Sequence, residues 1–221
     1  MVTSTEAPDD RSTRDVDVVS EDDTHEVTDG RLLRRKRNRE AVVDALLELY
    51  RTGNLRPSTE EIAARSGLSP RSLFRYFDDV DDLTRTAIAR VEHQALTLVP
   101  IDTNPDADLA VKAKAVADQR FRLFDVVGHA AAVSRLRSPF QPILAAELAR
   151  NRAFLRKQIG SLFAPELAAL GTARADTALA AADVLCSFES YVLLVQDQKL
   201  RPADAKAAMV DGLTALFAPR R

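Results

Sequence analysis

Two helix starts with one glycine between them constrain this chain more than any other feature. In Ser58-Thr59-Glu60-Glu61-Ile62-Ala63-Ala64-Arg65-Ser66-Gly67-Leu68-Ser69-Pro70, Ser58 can accept from the amide three residues on while Glu61 reaches back to the Ser58 amide, the reciprocal pattern of a capping box. Gly67 permits a left-handed turn and Leu68 plugs the core. Ser69 caps the next helix, and Pro70 takes its first position, where no amide hydrogen is missed. Upstream, Val42, Val43, Leu46, Leu47, Leu49 and Tyr50 recur at three- and four-residue steps, which predicts an amphipathic helix over 39–50 that Gly53 ends. Downstream, Leu73, Phe74 and Phe77 are expected to point inward, leaving Arg71, Ser72, Arg75 and Tyr76 along the outer side. The pattern is helix, tight turn, helix.

Composition extends the helical expectation to the whole chain. Seven glycines and no tryptophan in 221 residues argue against sandwiches and propellers, which need many tight turns, so the fold class is all-α. No run approaches the roughly 18 apolar residues of a membrane span. One cysteine, Cys186, cannot close an internal disulfide, and the first residues lack a signal peptide's basic and apolar regions, so a cytoplasmic protein without a membrane partner is expected. His25, His93 and His129 lie far apart, outside any metal-binding spacing. With no Gly-rich phosphate loop and no G-x-S-x-G either, the sequence offers no catalytic residue, metal site or cofactor.

The net charge of −2 hides an asymmetry. Residues 1–30 hold 10 acidic and 2 basic residues, a net of −8, without a periodic apolar face, and read as a disordered acidic tail. Residues 31–77 carry 11 basic and 5 acidic residues, a net of +6, with Arg31, Arg34, Arg35, Lys36, Arg37 and Arg39 forming a basic arm. The remainder, 78–221, balances 18 against 18 and gives no sign of a polyanion partner.

The segment STEEIAARSGLSPRSLFRYF followed by DDVDDL resembles the DNA-binding domain of the tetracycline-repressor (TetR) family of bacterial transcription regulators, over residues 39–83. The matching positions are Thr59, Ile62-Ala63, Gly67-Leu68-Ser69, Tyr76-Phe77 and Asp81-Asp82-Leu83. The resemblance implies a helix-turn-helix DNA-binding domain over 31–83 and a helical ligand-binding and dimerisation domain over 84–221. It also implies a homodimer on a palindromic double-stranded DNA operator, released by a small-molecule effector. The third helix would enter the major groove, with Arg71 and Arg75 on guanine edges and Ser72 on a base or a phosphate. Ser58, Thr59 and Tyr76 would grip phosphates. The family commonly has a lysine near a phosphate where this chain has Val80 among Asp78, Asp79, Asp81 and Asp82. Backbone affinity is therefore expected to lean on the arm, Arg35 and Arg37 included.

Beyond the reading head, a helix over about 81–98 leads to a linker at 100–105, and Gly and Pro positions delimit spans near 106–126, 129–136, 140–162, 172–199 and 203–217, nine helices in all. The last two spans are apolar over more than one face, which marks them for dimerisation through Leu179, Ala182, Cys186, Val192, Leu213 and Phe217. A cavity for an apolar or amphipathic ligand is expected among Phe121, Phe124, Phe140, Phe154 and Phe188, with His129 available to orient it. Cys186 reads as a small buried hydrophobe. Two alternatives stay open: a helical adaptor that dimerises without reading DNA, and an activator that uses the same head.

Overall fold

The computed structural model describes residues 21–218, all helices and connections with no strand among them. The first helix, α1 (Glu21–Arg51), contains no proline, and Arg51 in its last turn complements the helix macrodipole. It takes in residues 21–30, which were expected to belong to the disordered tail; the rest of that tail, 1–20, lies outside the described residues. The chain divides into two units at Glu40 and Ala41. In the first, Arg31, Arg34, Arg35, Lys36, Arg37 and Arg39 are all exposed along α1.

The second unit begins with the helix-turn-helix. Ser58 caps α2 (Thr59–Ser66): its hydroxyl accepts from the Glu61 amide at 3.2 Å, and Glu61 accepts from the Ser58 amide at 2.7 Å. Gly67 takes the left-handed conformation (φ 70°), and the amide of Leu68 returns to the Ala63 carbonyl. Ser69 and Pro70 open α3 (Pro70–Leu73) as the sequence requires. The turn continues to Phe77 through bonds such as Tyr76 N–H to Leu73 O at 3.0 Å. Asp79 caps α4 (Val80–Ala95), which a 3-10 turn extends to Leu98. Val42, Leu46, Tyr50, Ile62, Leu73, Phe77, Leu83, Ala87 and Ile88 close the core of this head. Phe74, expected inside, is 48% exposed, and Tyr76, expected outside, is half-buried against that core.

Six helices complete the chain: α5 (Leu109–Arg137), α6 (Pro142–Leu162), α7 (Ala164–Leu170), α8 (Thr172–Leu185), α9 (Phe188–Val192), which runs into a π turn at Leu193–Asp197, and α10 (Pro202–Phe217). Ten α-helices among the described residues replace the expected nine. Gly128 does not interrupt α5, since a mid-helix glycine costs only about 1 kcal/mol and Phe124, Ala130 and Val133 around it are buried. The expected 172–199 span does break, because Ser187 accepts from the Ser190 amide at 3.1 Å and caps α9.

No gap separates the head from the helical bundle: both belong to the second compact unit, without a break at 83/84. Ala130 and Val133 of α5 and Leu144 of α6 share the core of Leu83 and Ala87. Arg137 of α5 bonds Asp81 at 2.6 Å, and the buried Tyr50 hydroxyl meets Thr84 at 3.4 Å. The first half of α5 packs a second core with α6, α8 and α10, where Phe163 and Phe217 stack with centroids 4.4 Å apart.

The expected dimer residues lie in or against the cores of this one chain. Ala182, Cys186, Leu213 and Phe217 are at most 3% exposed within this one chain, and Leu179 is half-buried against the same core. Val192 is half-buried against a third cluster around Phe124 and Phe188. The apolar stripes that looked two-faced are satisfied by α5 and by each other. The exposed residues of α8 include Ala180 and Val184 beside Asp176 and Thr177, and those of α10 include Ala207, Ala208 and Ala215 beside Asp211. Burial pushes the Cys186 thiol up to about 12, so it sits as a neutral, small apolar group.

No single helix among the described residues is long and apolar enough to cross a membrane. The bent pair α8 plus 188–197 passes by length and composition, yet Ala178, Ala182, Cys186 and Phe188 in it are buried inside the protein. Phe217→Ala removes one ring of the stacked pair and should cost about 3–5 kcal/mol of stability, read as a lowered midpoint in urea unfolding followed by circular dichroism.

Candidate nucleic-acid interface and ligand cavity

On the head, the caps that fix α2 and α3 also decide what their side chains can offer. Arg71 on α3 and Arg75 in the turn that follows it are both exposed, after a start that the Ser69 cap and Pro70 define. Ser72 is half-buried and its hydroxyl meets that of Ser69 at 2.9 Å. Ser58 is exposed, but its hydroxyl donates to Glu61 at 2.9 Å, and Thr59 beside it is half-buried. Tyr76 leans on the core and is a weaker phosphate candidate than its position in the sequence suggested. Arg65 is tied to Glu48 at 2.6 Å, which braces α2 against α1.

The aspartates around Val80 have internal work. Asp79 accepts from the Asp82 amide at 2.6 Å, Asp82 accepts from the Asp78 amide and pairs with Arg85 at 3.5 Å, and Asp81 holds Arg137. Val80 is half-buried, and its carbonyl accepts from Thr84 at 2.8 Å.

A cavity of about 370 Å³ lies among α4, α5, α6 and Phe188. Its walls are mainly apolar, including Ile88, Leu123, Val127, Leu148 and Leu155. Of the expected ligand residues, Phe124, Phe154 and Phe188 line it. Phe121 is buried edge-on against Tyr191 elsewhere, and Phe140 is 78% exposed. His129 borders a second depression of about 600 Å³ on the other side of Phe124 and Phe188, with Asp125, Tyr191 and Gln196.

The polar residues of the first cavity escaped the sequence reading. Glu92 of α4 is joined there by Glu147, Asn151 and Arg152 of α6 and by Arg135 of α5. The available signal was one acid on the Ile88, Glu92, Ala95 stripe, which is otherwise apolar. Burial, and after it Glu147, raises the Glu92 carboxyl above the usual range, against a 2.9 Å hydrogen bond from Asn151. At the far end Arg135 lies over the Phe188 ring and bonds Glu189 at 2.8 Å, while Arg152 bonds the same carboxylate. Burial alone would raise Glu189, but the two arginines bring it down to about 2.

Beneath the cavity lies a buried guanidinium. Arg120 donates to Gln119, to Gln158 at 3.2 Å and to the Leu155 carbonyl at 3.0 Å, and its Nε has no partner. The amide nitrogens of Gln119 and Gln158 bond the carbonyls of Leu98 and Val99 at 2.8–3.0 Å. Cavity wall and α4 terminus are thus parts of one network, because Val99 and Leu155 belong to both.

An all-α protein with a capped helix-turn-helix, built without a break onto a helical bundle with a side cavity, is the class that fold and site define. No family model and no curated protein matches the sequence. Among solved structures, a transcriptional regulator from Rhodococcus sp. Rha1 shares 19% identity at a TM-score of 0.60, over 83% of this chain and 95% of that one. A TetR-family transcriptional regulator from Streptomyces coelicolor shares 19% identity at a TM-score of 0.62, over 82% and 80%. The chain therefore has the fold of those regulators.

Two outcomes test the electrostatics. Arg120→Ala leaves three acceptors without their donor and a void besides, so it should cost about 3–5 kcal/mol in denaturant unfolding. Glu189 has a lowered carboxyl, so its contribution is present above its unfolded value of 4.5 and is lost as pH falls toward about 2. Glu189→Gln should therefore lose stability at neutral pH and converge with the parent protein in acid, as followed by melting temperature against pH.

Proposed function

We propose that this protein is a sequence-specific DNA-binding transcription regulator of TetR type, acting in the bacterial cytoplasm as a homodimeric repressor that a small apolar or amphipathic ligand releases from a palindromic operator. The observation that carries this reading is the exposed pair Arg71, on α3, and Arg75, in the turn that continues it, behind a start fixed by Ser69, Pro70 and the Gly67 turn. A rigid, donor-rich helix face suits base edges in a major groove, and each bidentate arginine–guanine contact is worth about 1–3 kcal/mol of discrimination. The basic stretch that includes Arg35 and Arg37 supplies sequence-independent attraction. Both structural neighbours are transcriptional regulators, which favours this reading over a helical adaptor.

The exposed alanines and Val184 on α8 and α10 offer a flat surface for a second copy, and two-fold symmetry would match a palindrome. The cavity beside α4 supports the effector, since a ligand there touches the helix next to the head. DNA and effector would oppose each other reciprocally, with a coupling of about 1–3 kcal/mol sufficing for a switch.

Selection from a random duplex pool should yield a palindrome that binds well above its scrambled form. Arg71→Ala and Arg75→Ala should each lower specific affinity about 5- to 150-fold and relax the site at one position. Arg35→Ala and Arg37→Ala should weaken all duplexes alike and reduce the salt slope by about 1 each. Binding that is equally strong on scrambled DNA would overturn the regulator reading in favour of the adaptor.

A further inference from the structure

Resting on the effector-cavity reading above, we infer that the cavity beside α4 takes an apolar monocation, a hydrophobic amine or quaternary ammonium whose charge sits against Glu92 and Glu147. The volume and apolar walls fix the body of the ligand: about 370 Å³ falls in the range of small-molecule sites, and most of the lining is aliphatic or aromatic. The charged groups that line the cavity then fix its sign. They are Glu92 and His93 of α4, Arg135 of α5, and Glu147 and Arg152 of α6.

The cations among them already have a carboxylate partner. Arg135 and Arg152 both bond Glu189, and Arg135 is further held over the Phe188 ring. An anionic ligand would compete with Glu189 for them. The acids are in the opposite condition. Glu92 makes no ion pair among the described residues and is answered by the neutral amide of Asn151 at 2.9 Å. Glu147 meets Arg150 at 3.9 Å, and that arginine is 68% exposed, where water screens it. His93 is exposed. Two half-buried carboxylates, one on α4 and one on α6, thus line one apolar cavity, and Arg150, the cation that acts on both, is largely exposed.

A bound cation removes both costs, the like-charge repulsion and the solvation lost on burial. The raised Glu92 carboxyl agrees with this arrangement, because desolvation and Glu147 are the two influences that a cation would offset. Position gives the contact a consequence. Glu92 lies on α4, and Glu147 and Asn151 lie on α6, so a cation held between them draws together two helices whose ends the Arg120 network also joins.

The test uses the full chain and three probes of matched length, each below its micelle concentration: decyltrimethylammonium, decanol and decanoate, titrated by calorimetry in the absence of DNA. The cation should bind at least about tenfold more tightly than either of the others. Glu92→Gln and Glu147→Gln should each lower its affinity about tenfold and leave decanol unchanged, which also verifies that the variants fold and keep the cavity. The affinity of the cation should fall as pH is lowered and Glu92 takes up its proton, and that dependence should weaken in Glu92→Gln. Decanol or decanoate binding as tightly as the cation, or indifference of the cation to both substitutions, would overturn the ligand class while leaving the effector cavity standing. Failure of all three probes to bind would overturn both. The DNA-binding reading is scored separately by the duplex selection.

Discussion

A guanidinium without a carboxylate holds the middle of this molecule. Removing an arginine from water costs several kcal/mol, and Arg120 recovers it through neutral oxygens alone, from Gln119, Gln158 and the Leu155 backbone. Because arginine can only donate, both glutamines must turn their oxygens toward it and their nitrogens away. Those nitrogens meet the Leu98 and Val99 carbonyls, which would otherwise end a helix without partners. One buried donor therefore sets two amide orientations, and these hold the end of the 3-10 turn that follows α4. An ion pair there would have been self-contained; a donor short of acceptors makes its neighbours' geometry part of its own solvation.

The cavity shares Val99 and Leu155 with this network, and its lining carries both signs. Beside it a carboxylate is shared by two arginines and driven strongly acidic; in its wall a carboxyl is raised by burial and by a like charge. The same residue type thus plays opposite parts, as an anchor for α5, α6 and α9 in one case and as an unsettled charge in the other. The aspartates at the start of α4 resemble the first case. They look like a repulsive cluster in the sequence, yet each has an amide, an arginine or both to hold.

What the sequence disclosed is local. Ser58 with Glu61, the Gly67 turn and Ser69 with Pro70 are decisions taken within four residues, and all stand in the structure. The errors came where neighbours distant in sequence decide. Gly128 would end an isolated helix, but buried side chains on either side of it carry α5 through. Phe74 lies about 100° round the axis from Leu73, and the tightened turn after Leu73 brings Tyr76 under the core in its place. The alanine-rich stripes of α8 and α10 announced burial correctly, though no pattern in one chain says whether the cover is that chain or a copy of it. For the cavity, three phenylalanines were legible as bulk. Its charges were not, because Glu92 and Glu147 acquire meaning from being adjacent across two helices.

The uninterrupted course of α5 bears on how such a protein can be recombined. At 29 residues the helix is about 43 Å long. It contributes Ala130 and Val133 to the core of the head, Leu123 and Phe124 to the cluster at the cavity, and Ala113, Val116 and Phe121 to the core of the far end. A head excised at residue 83 would bring with it an apolar flank meant for α5 and α6, and a bundle relieved of the head would show the other half of the same seam. Grafting the head onto a foreign sensor therefore requires carrying the last turns of α5 along, together with Arg137 as the partner of Asp81. The exchangeable unit in this architecture ends inside a helix, at a point that no loop marks.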